Sequence, residues 1–231
     1  LSTMGNAEKR SPLYIVGPRG IKRALSAMMV LWEGLPYRLV VLEKPAGCFS
    51  INSDILREIE ISTLDLDHST ECLGYSLYFK RNREFDMDKA LENQVPKRLW
   101  RHLQAGQTFY VDDMSYTPDM VLGKPRPGIK FSYITDTRPI DAIIPFIESS
   151  RLFVCEAMYG DDLDIGKAVK NKHMTFREAA NLAYKGQVDQ LLLTHFSPSL
   201  DSPSDYIENA SSVFKNTSLA YDGINISIGY P

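Results

Sequence analysis

Residues 129–157 read IKFSYITDTRPIDAIIPFIESSRLFVCEA. Ile129–Thr135 is dense in β-forming residues and ends in the polar step Thr135-Asp136-Thr137. Pro139–Ile147 reads as a helix. Leu152–Cys155 is a short unbroken apolar run, the signature of a strand buried on both faces. Strand, polar turn, helix, strand is the rhythm of a layered α/β fold. The rhythm continues downstream with a helix over Phe176–Tyr184, an apolar strand over Gln190–Thr194 and a helix over Tyr206–Phe214. Leu219–Tyr221 and Ile224–Ile228 are expected to pair around the turn dipeptide Asp222-Gly223.

Upstream, Leu13–Val16 is a short strand ending at Gly17-Pro18. Gly20–Trp32 reads as a helix with Ile21, Leu25, Met28, Met29 and Trp32 on one face. Tyr37–Glu43, Glu58–Leu66 and Leu73–Phe79 are strand candidates, and their polar alternation suits a sheet with one covered face or an edge. Lys80–Gly106 differs in kind. It carries seven Lys and Arg against four acids, and Pro96 divides it into two short helices. Leu91, Val95, Leu99 and Leu103 form a thin stripe at spacing four, as in an arm projecting from the main body. Gly123–Gly128 is a loop.

The 231 residues are 44% apolar and 24% charged with net charge −3, a composition that folds and does not bind polyanions generically. Nucleic-acid contact therefore needs a local basic patch. No apolar run is long enough for a membrane helix, so no membrane partner is expected. The N-terminal LSTMGNAEKR lacks the pattern of a signal peptide. Three widely spaced cysteines, Cys48, Cys72 and Cys155, match neither a disulfide framework nor a zinc finger, which favours a reducing, cytoplasmic setting.

There are four histidines. His68 follows the strand REIEISTLDL, His195 follows QLLLT directly, and Asp136 stands in the same place after FSYIT. Ligands converge at strand ends in layered α/β folds, and imidazole with carboxylate suits zinc and similar ions. Each residue also has an ordinary alternative. A histidine after a strand often serves a turn, Asp136 can cap a helix from Pro139, and Glu156 can be a buried or capping carboxylate. His102, beside Trp100 and Arg101, reads as solvated or RNA-facing.

Several short motifs in order resemble the ribonuclease Z family, the tRNA 3′-end processing endoribonucleases of the metallo-β-lactamase superfamily. Tyr14–Ile21 (YIVGPRGI) looks like the family's strand-to-helix segment. His68 before Cys72-Leu73-Gly74-Tyr75 is similar to its isolated metal-binding His. Thr135-Asp136-Thr137 resembles Gly-Asp-Thr, and Cys155-Glu156-Ala157 resembles His-Glu-Ala-Thr at its Glu and Ala. His173-Met174-Thr175 resembles His-Ser-Thr, Leu193–Ser197 (LTHFS) the last metal-ligand motif, and Ala220–Gly223 the penultimate strand and turn.

The resemblance implies an αββα metallo-β-lactamase sandwich over residues 1–231, with a helical arm inserted at about 80–106. It implies His68, Asp136 and His195 as metal ligands. Asp136 would be shared by two Zn2+ ions, Mn2+ or Mg2+ being alternatives, and the chemistry would be two-metal phosphodiester hydrolysis. His173 would give a proton to the leaving oxygen or stabilise it, with Glu156 holding its ring in one tautomer. Lys97, Arg98 and Arg101 on the arm would face the phosphates of precursor tRNA, often across a homodimer. Trp100 would stack there or pack the arm's stripe.

The family's His-X-His-X-Asp-His motif is absent from these residues. Its expected position is just upstream of Leu1, so the chain reads as a C-terminal portion whose ligand set is incomplete and which is inactive alone. The arm lacks the usual Gly-Pro tip, Ser199 stands where an Arg is common, and Cys155 replaces a His. Two other readings stay open: a superfamily hydrolase of small phosphodiesters or esters, and an inactive RNA-binding or dimerising piece.

Overall fold

The computed structural model describes residues 1–30, 34–45, 47–51, 59–111 and 114–230. They form two compact units, one from Leu1–Phe79 with Ile129–Gly229 and one centred on Lys80–Gly128. In chain order the elements begin with helix α1 (Ser2–Asn6), strand β1 (Leu13–Gly17), α2 (Ile21–Met29), β2 (Leu39–Glu43), β3 (Cys48–Ile51), β4 (Ile59–Asp65) and β5 (Leu73–Arg81). Then come α3 (Met87–Glu92), α4 (Lys97–Gln104), β6 (Phe109–Val111), β7 (Met114–Tyr116), β8 (Arg126–Ile134), α5 (Ile143–Ile147) and β9 (Leu152–Glu156). The chain closes with α6 (Ile165–Asn171), α7 (Phe176–Lys185), β10 (Leu191–Thr194), α8 (Glu208–Ser211) and β11 (Thr217–Leu219). Leu31 and Trp32, at the end of the helix expected over Gly20–Trp32, and Glu58, at the start of an expected strand, lie outside the described residues.

Seven strands form one sheet in the order β11-β10-β9-β8-β5-β4-β3. Strands β8 to β11 run parallel, while β3, β4 and β5 pair antiparallel. Strands β1 and β2 make a separate parallel pair. Strand β9 is buried at all five positions, the apolar run Leu152–Cys155 and then Glu156. Phe153, Cys155, Leu191 and Leu193 point into the main core with Ile143 and Ile147 of α5, and with Phe176, Ala179, Ala180 and Ala183 of α7. Leu152, Val154 and Leu192 face the other way and meet Phe131, Ala220, Ile224, Ile226 and Ile228. This is a mixed α/β architecture with helices flanking a central sheet, in keeping with an αββα sandwich bearing extra helices.

Several sequence expectations change. The helix expected from Pro139 starts at Ile143. Pro145 explains this: deeper in a helix its ring would strike the carbonyl of Asp141, whereas within the first turn its missing N–H costs nothing. The helix expected over Tyr206–Phe214 is a 3₁₀ turn at Pro203–Tyr206 followed by the short α8. Strand β8 already begins at Arg126, inside the expected loop. The Asp222-Gly223 turn forms, with Gly223 at φ 86° and the Ile224 N–H on the Tyr221 carbonyl at 3.1 Å, but no hairpin follows. Instead β11 pairs parallel with β10, and Ile224, Ile226 and Ile228 lay their side chains on the sheet face.

In the Lys80–Gly128 unit, Pro96 separates α3 from α4 as expected, and Asp86 caps α3 by accepting from the Lys89 N–H at 3.0 Å. Val95, Leu99 and Leu103 are buried, but Leu91 is 54% exposed and Ala90 takes the inward place. Gln94 at φ 53° breaks the helical phase between the two helices, so the spacing of four does not continue across it. Trp100 packs on Phe85, ring centroids 5.1 Å apart, and its indole N–H donates to the Val95 carbonyl at 2.9 Å. The strands β6 and β7 pair antiparallel beside this core.

Candidate metal and catalytic centre

Parallel strands present their C-terminal ends at one edge. In register, Ile134 of β8 lies beside Cys155 of β9, and Glu156 lies beside Thr194 of β10. The next residues along the chain are therefore neighbours in space, and they include Asp136 and His195. Both take left-handed backbone, φ 52° and 59°, which turns each side chain off its strand within two residues. Such backbone is uncommon for residues other than glycine and tends to mark functional sites. His68 joins them because Asp67 bridges Arg138 across two chain segments, with the Arg138 N–H on the Asp67 carbonyl at 3.0 Å.

His195 Nε2 lies 2.7 Å from Asp136 Oδ1. His173 Nδ1 lies 4.0 Å from the same oxygen and 2.9 Å from Glu156 Oε1. The His173 ring centroid is 5.0 Å from that of His68 and 5.4 Å from that of His195. One donor atom each from His68, Asp136 and His173 fall within 4.8 Å of one another. The sheet edge thus gathers every residue that the sequence put forward as ligand or proton donor. The tight three-residue group holds His173, with His195 attached through Asp136. Asp136 does not cap α5, which starts seven residues later.

Surrounding groups orient the rings. His68 Nδ1 is 3.1 Å from the Lys172 carbonyl, which has only lone pairs to offer, so Nδ1 carries the hydrogen and Nε2 is left as the ligand atom. Lys172 is itself left-handed at φ 58° and holds Asp67 Oδ1 with its ammonium at 2.6 Å. Glu156 is fully buried and accepts backbone N–H groups from Thr137 at 2.7 Å and from Met158 and Met174 at 3.3 Å each. Burial pushes its carboxyl up to about 7 against the pull of those three donors. Burial first, and then the neighbouring His68, lowers the His173 pKa. Cys72 donates to the Thr135 carbonyl at 3.3 Å, and burial followed by the Asp136 charge raises its thiol pKa.

Thr175 caps α7 in a reciprocal box with Glu178, as the sequence predicts, which fixes the backbone just after His173. The local pattern gave no sign of Arg138. Its guanidinium donates to the His173 carbonyl and to both oxygens of Glu178. Lys97, Arg98 and Arg101 lie exposed on α4, opposite its buried Leu99 and Leu103, within the Lys80–Gly128 unit. His102 is exposed and bonds Gln107 Oε1 at 2.9 Å.

Several imidazoles and one carboxylate around a common centre fit zinc, which takes nitrogen and oxygen ligands and in catalytic sites keeps an open position. Glu156 behind His173 and the Lys172 carbonyl behind His68 supply the backing that such ligands use.

The fold and this centre define a protein of the metallo-β-lactamase class. Solved structures with the same fold include a metallo-β-lactamase-fold protein from Bacillus subtilis (TM-score 0.59, 16% identity, 96% of this chain and 68% of that one). The short form of human tRNase Z aligns at TM-score 0.57 and 18% identity over 98% of this chain and 71% of that one. No protein-family model matches the chain. Ribonuclease Z of Clostridioides difficile is 59% identical over 230 residues, covering 100% of this chain and 75% of the relative. That of Alkaliphilus oremlandii is 46% identical over 242 residues, covering 100% and 76%. The chain belongs to the ribonuclease Z family.

Proposed function

We propose that the chain forms the catalytic body of a metal-dependent endoribonuclease that removes the 3′ trailer of precursor tRNA by hydrolysing one phosphodiester. The supporting observation is the gathering of His68, Asp136, His173 and His195 at one sheet edge, with Glu156 buried behind them, in a chain 59% identical to a ribonuclease Z. His68, Asp136 and His195 hold the metal. Zinc bound there supplies neutralising charge for phosphate oxygens and lowers the pKa of attacking water. Two ions need more ligands than these residues offer, so full activity requires the His-X-His-X-Asp-His motif that the 231 residues do not contain.

His173 acts on the leaving oxygen. Glu156 Oε1 accepts its Nδ1–H, which leaves Nε2 to carry the second proton of the imidazolium. Glu156 holds the ring through this contact, and the proton on Nε2 passes to the leaving oxygen as the phosphorus–oxygen bond breaks. Lys97, Arg98 and Arg101 bind substrate phosphates, and the enzyme works as a cytoplasmic homodimer. The three free cysteines suit a reducing compartment, and among the described residues no helix is long and apolar enough to cross a membrane.

One observation favours a second role for His173: its donor lies in the tight group with His68 and Asp136, which suits a direct metal ligand. The deciding experiment is precursor tRNA cleavage by the motif-containing enzyme, with and without chelator, for wild type and His173→Ala. The reading stands if wild type releases the trailer, chelator abolishes this, and His173→Ala keeps its metal while losing about 100-fold or more in rate. Intact activity in chelator would reject it, and metal loss in His173→Ala would assign that residue to the metal.

A further inference from the structure

We propose that Arg138 is a positioning residue for His173, setting where the proton donor stands relative to the leaving oxygen. The inference rests on the proposed nuclease reading and extends it to a residue outside the ligand set. Arg138 Nη1 donates to the His173 carbonyl and to Glu178 Oε2, the latter at 2.9 Å, and Nη2 donates to Glu178 Oε1. The pair is largely enclosed, with side-chain exposures of 17% for Arg138 and 22% for Glu178. Glu178 in turn accepts the Thr175 N–H at 2.9 Å. A planar fork gripping both carboxylate oxygens and a carbonyl fixes orientation as well as distance, which a lysine ammonium cannot do.

The backbone of the same residue is tied to the rest of the site. The Arg138 N–H donates to the Asp67 carbonyl, next to His68. Thr137 Oγ1 accepts the Asp67 N–H at 3.0 Å, and the Thr137 N–H donates to Glu156 Oε1 at 2.7 Å. Asp136 precedes both. Residues 136–138 therefore link metal ligand, ring-orienting carboxylate and proton donor in three consecutive positions. His173 is held at two points, its ring by Glu156 and its carbonyl by Arg138. Without the second hold, the ring can pivot about its contact with Glu156, and displacement of an ångström is costly for proton transfer.

The test separates proton delivery from general damage by leaving group. The motif-containing enzyme is assayed on a short oligoribonucleotide, whose departing alkoxide needs a proton, and on bis(p-nitrophenyl) phosphate, whose p-nitrophenolate does not. Arg138→Met is expected to lower kcat on the oligoribonucleotide about 10- to 100-fold at unchanged KM, and on the activated ester less than about threefold. Arg138→Lys should recover part of that loss, and Glu178→Gln, which loosens the guanidinium's anchor, should show the same substrate-dependent pattern. Metal content should match wild type throughout. Equal losses on both substrates, or none on the oligoribonucleotide, would overturn the proposal. Should Arg138→Met not fold, Arg138→Lys and Glu178→Gln decide it by the same ratio. Precursor tRNA assayed in parallel keeps the two readings apart, since its resistance to wild type refutes the tRNA assignment and leaves the leaving-group ratio intact.

Discussion

Glu156 Oε1 lies 2.9 Å from His173 Nδ1, and the carboxylate behind that contact has no exposure to solvent. A buried acid and a nearly buried base then share one hydrogen bond, and their titrations oppose each other. Glu156 is raised from 4.5 to about 7 by burial, so the folded protein binds an extra proton across that interval and stability falls as pH rises through it. His173 is lowered by burial, so the folded state binds fewer protons than the unfolded chain near and below 6.5, and stability rises with pH there. The expected result for metal-free wild type is a urea midpoint that falls with rising pH above about 6.5, with the histidine contribution opposing the fall below that. In Glu156→Gln only the histidine contribution survives, and the midpoint should climb with pH up to about 6.5. A Glu156→Gln profile with the same pH dependence as wild type would contradict the pairing.

Metal retention distinguishes the ligands. Asp136→Ala and His68→Ala should weaken zinc binding about 100-fold or more, beyond the range seen for groups that only back a ligand. His195→Ala should do likewise, whereas a loss of about tenfold or less would make it only the hydrogen-bond partner of Asp136 at 2.7 Å. Metal analysis after gel filtration is the measurement, and near-stoichiometric zinc in the Asp136→Ala, His195→Ala double variant would reject the assignment.

Thiol chemistry reports on the same centre. Cys48 is exposed, Cys72 half-covered and Cys155 buried, so iodoacetamide should label them in that order. Because the Asp136 charge contributes to the raised Cys72 pKa, Asp136→Asn should lower that pKa and speed Cys72 labelling a few-fold at pH 8.5, while Cys48 is unchanged. Peptide mass mapping over time gives both rates, and an unaltered Cys72 rate would place the charge elsewhere.

The exposed cations of α4 should matter only for a large substrate. Replacing Lys97, Arg98 and Arg101 together by Ala should weaken precursor tRNA binding and reduce the slope of log K against log salt by about three. Hydrolysis of bis(p-nitrophenyl) phosphate should stay within about twofold, since surface changes of this kind leave the fold intact. Equal losses on both substrates would count against a phosphate-binding role for α4.

Much of the centre was legible because strand ends are local features. His68, Asp136 and His195 each follow an apolar or alternating run by a few residues, and the capping box at Thr175 and Glu178 is written in four consecutive positions. Arg138 was not legible, since its partners His173 and Glu178 lie 35 and 40 positions away and no periodicity encodes such a contact. The failed expectations have the same root. Leu91 fits the spacing of four, but a left-handed Gln94 resets the phase. Ile224–Ile228 alternates like a strand, yet its alternate side chains serve the sheet face, while the ladder of β10 is taken by β11.

The left-handed backbone at Asp136 and His195 carries a cost for the whole molecule. Each position is one where glycine would rest without strain, and in the proposed metal-binding role the side chains are kept for the chemistry. Selecting purely for thermal resistance would therefore drift toward glycine at both places, yielding a sturdier and inert protein. Directed evolution of this scaffold has to screen for turnover alongside heat tolerance, because at these two positions the goals pull apart.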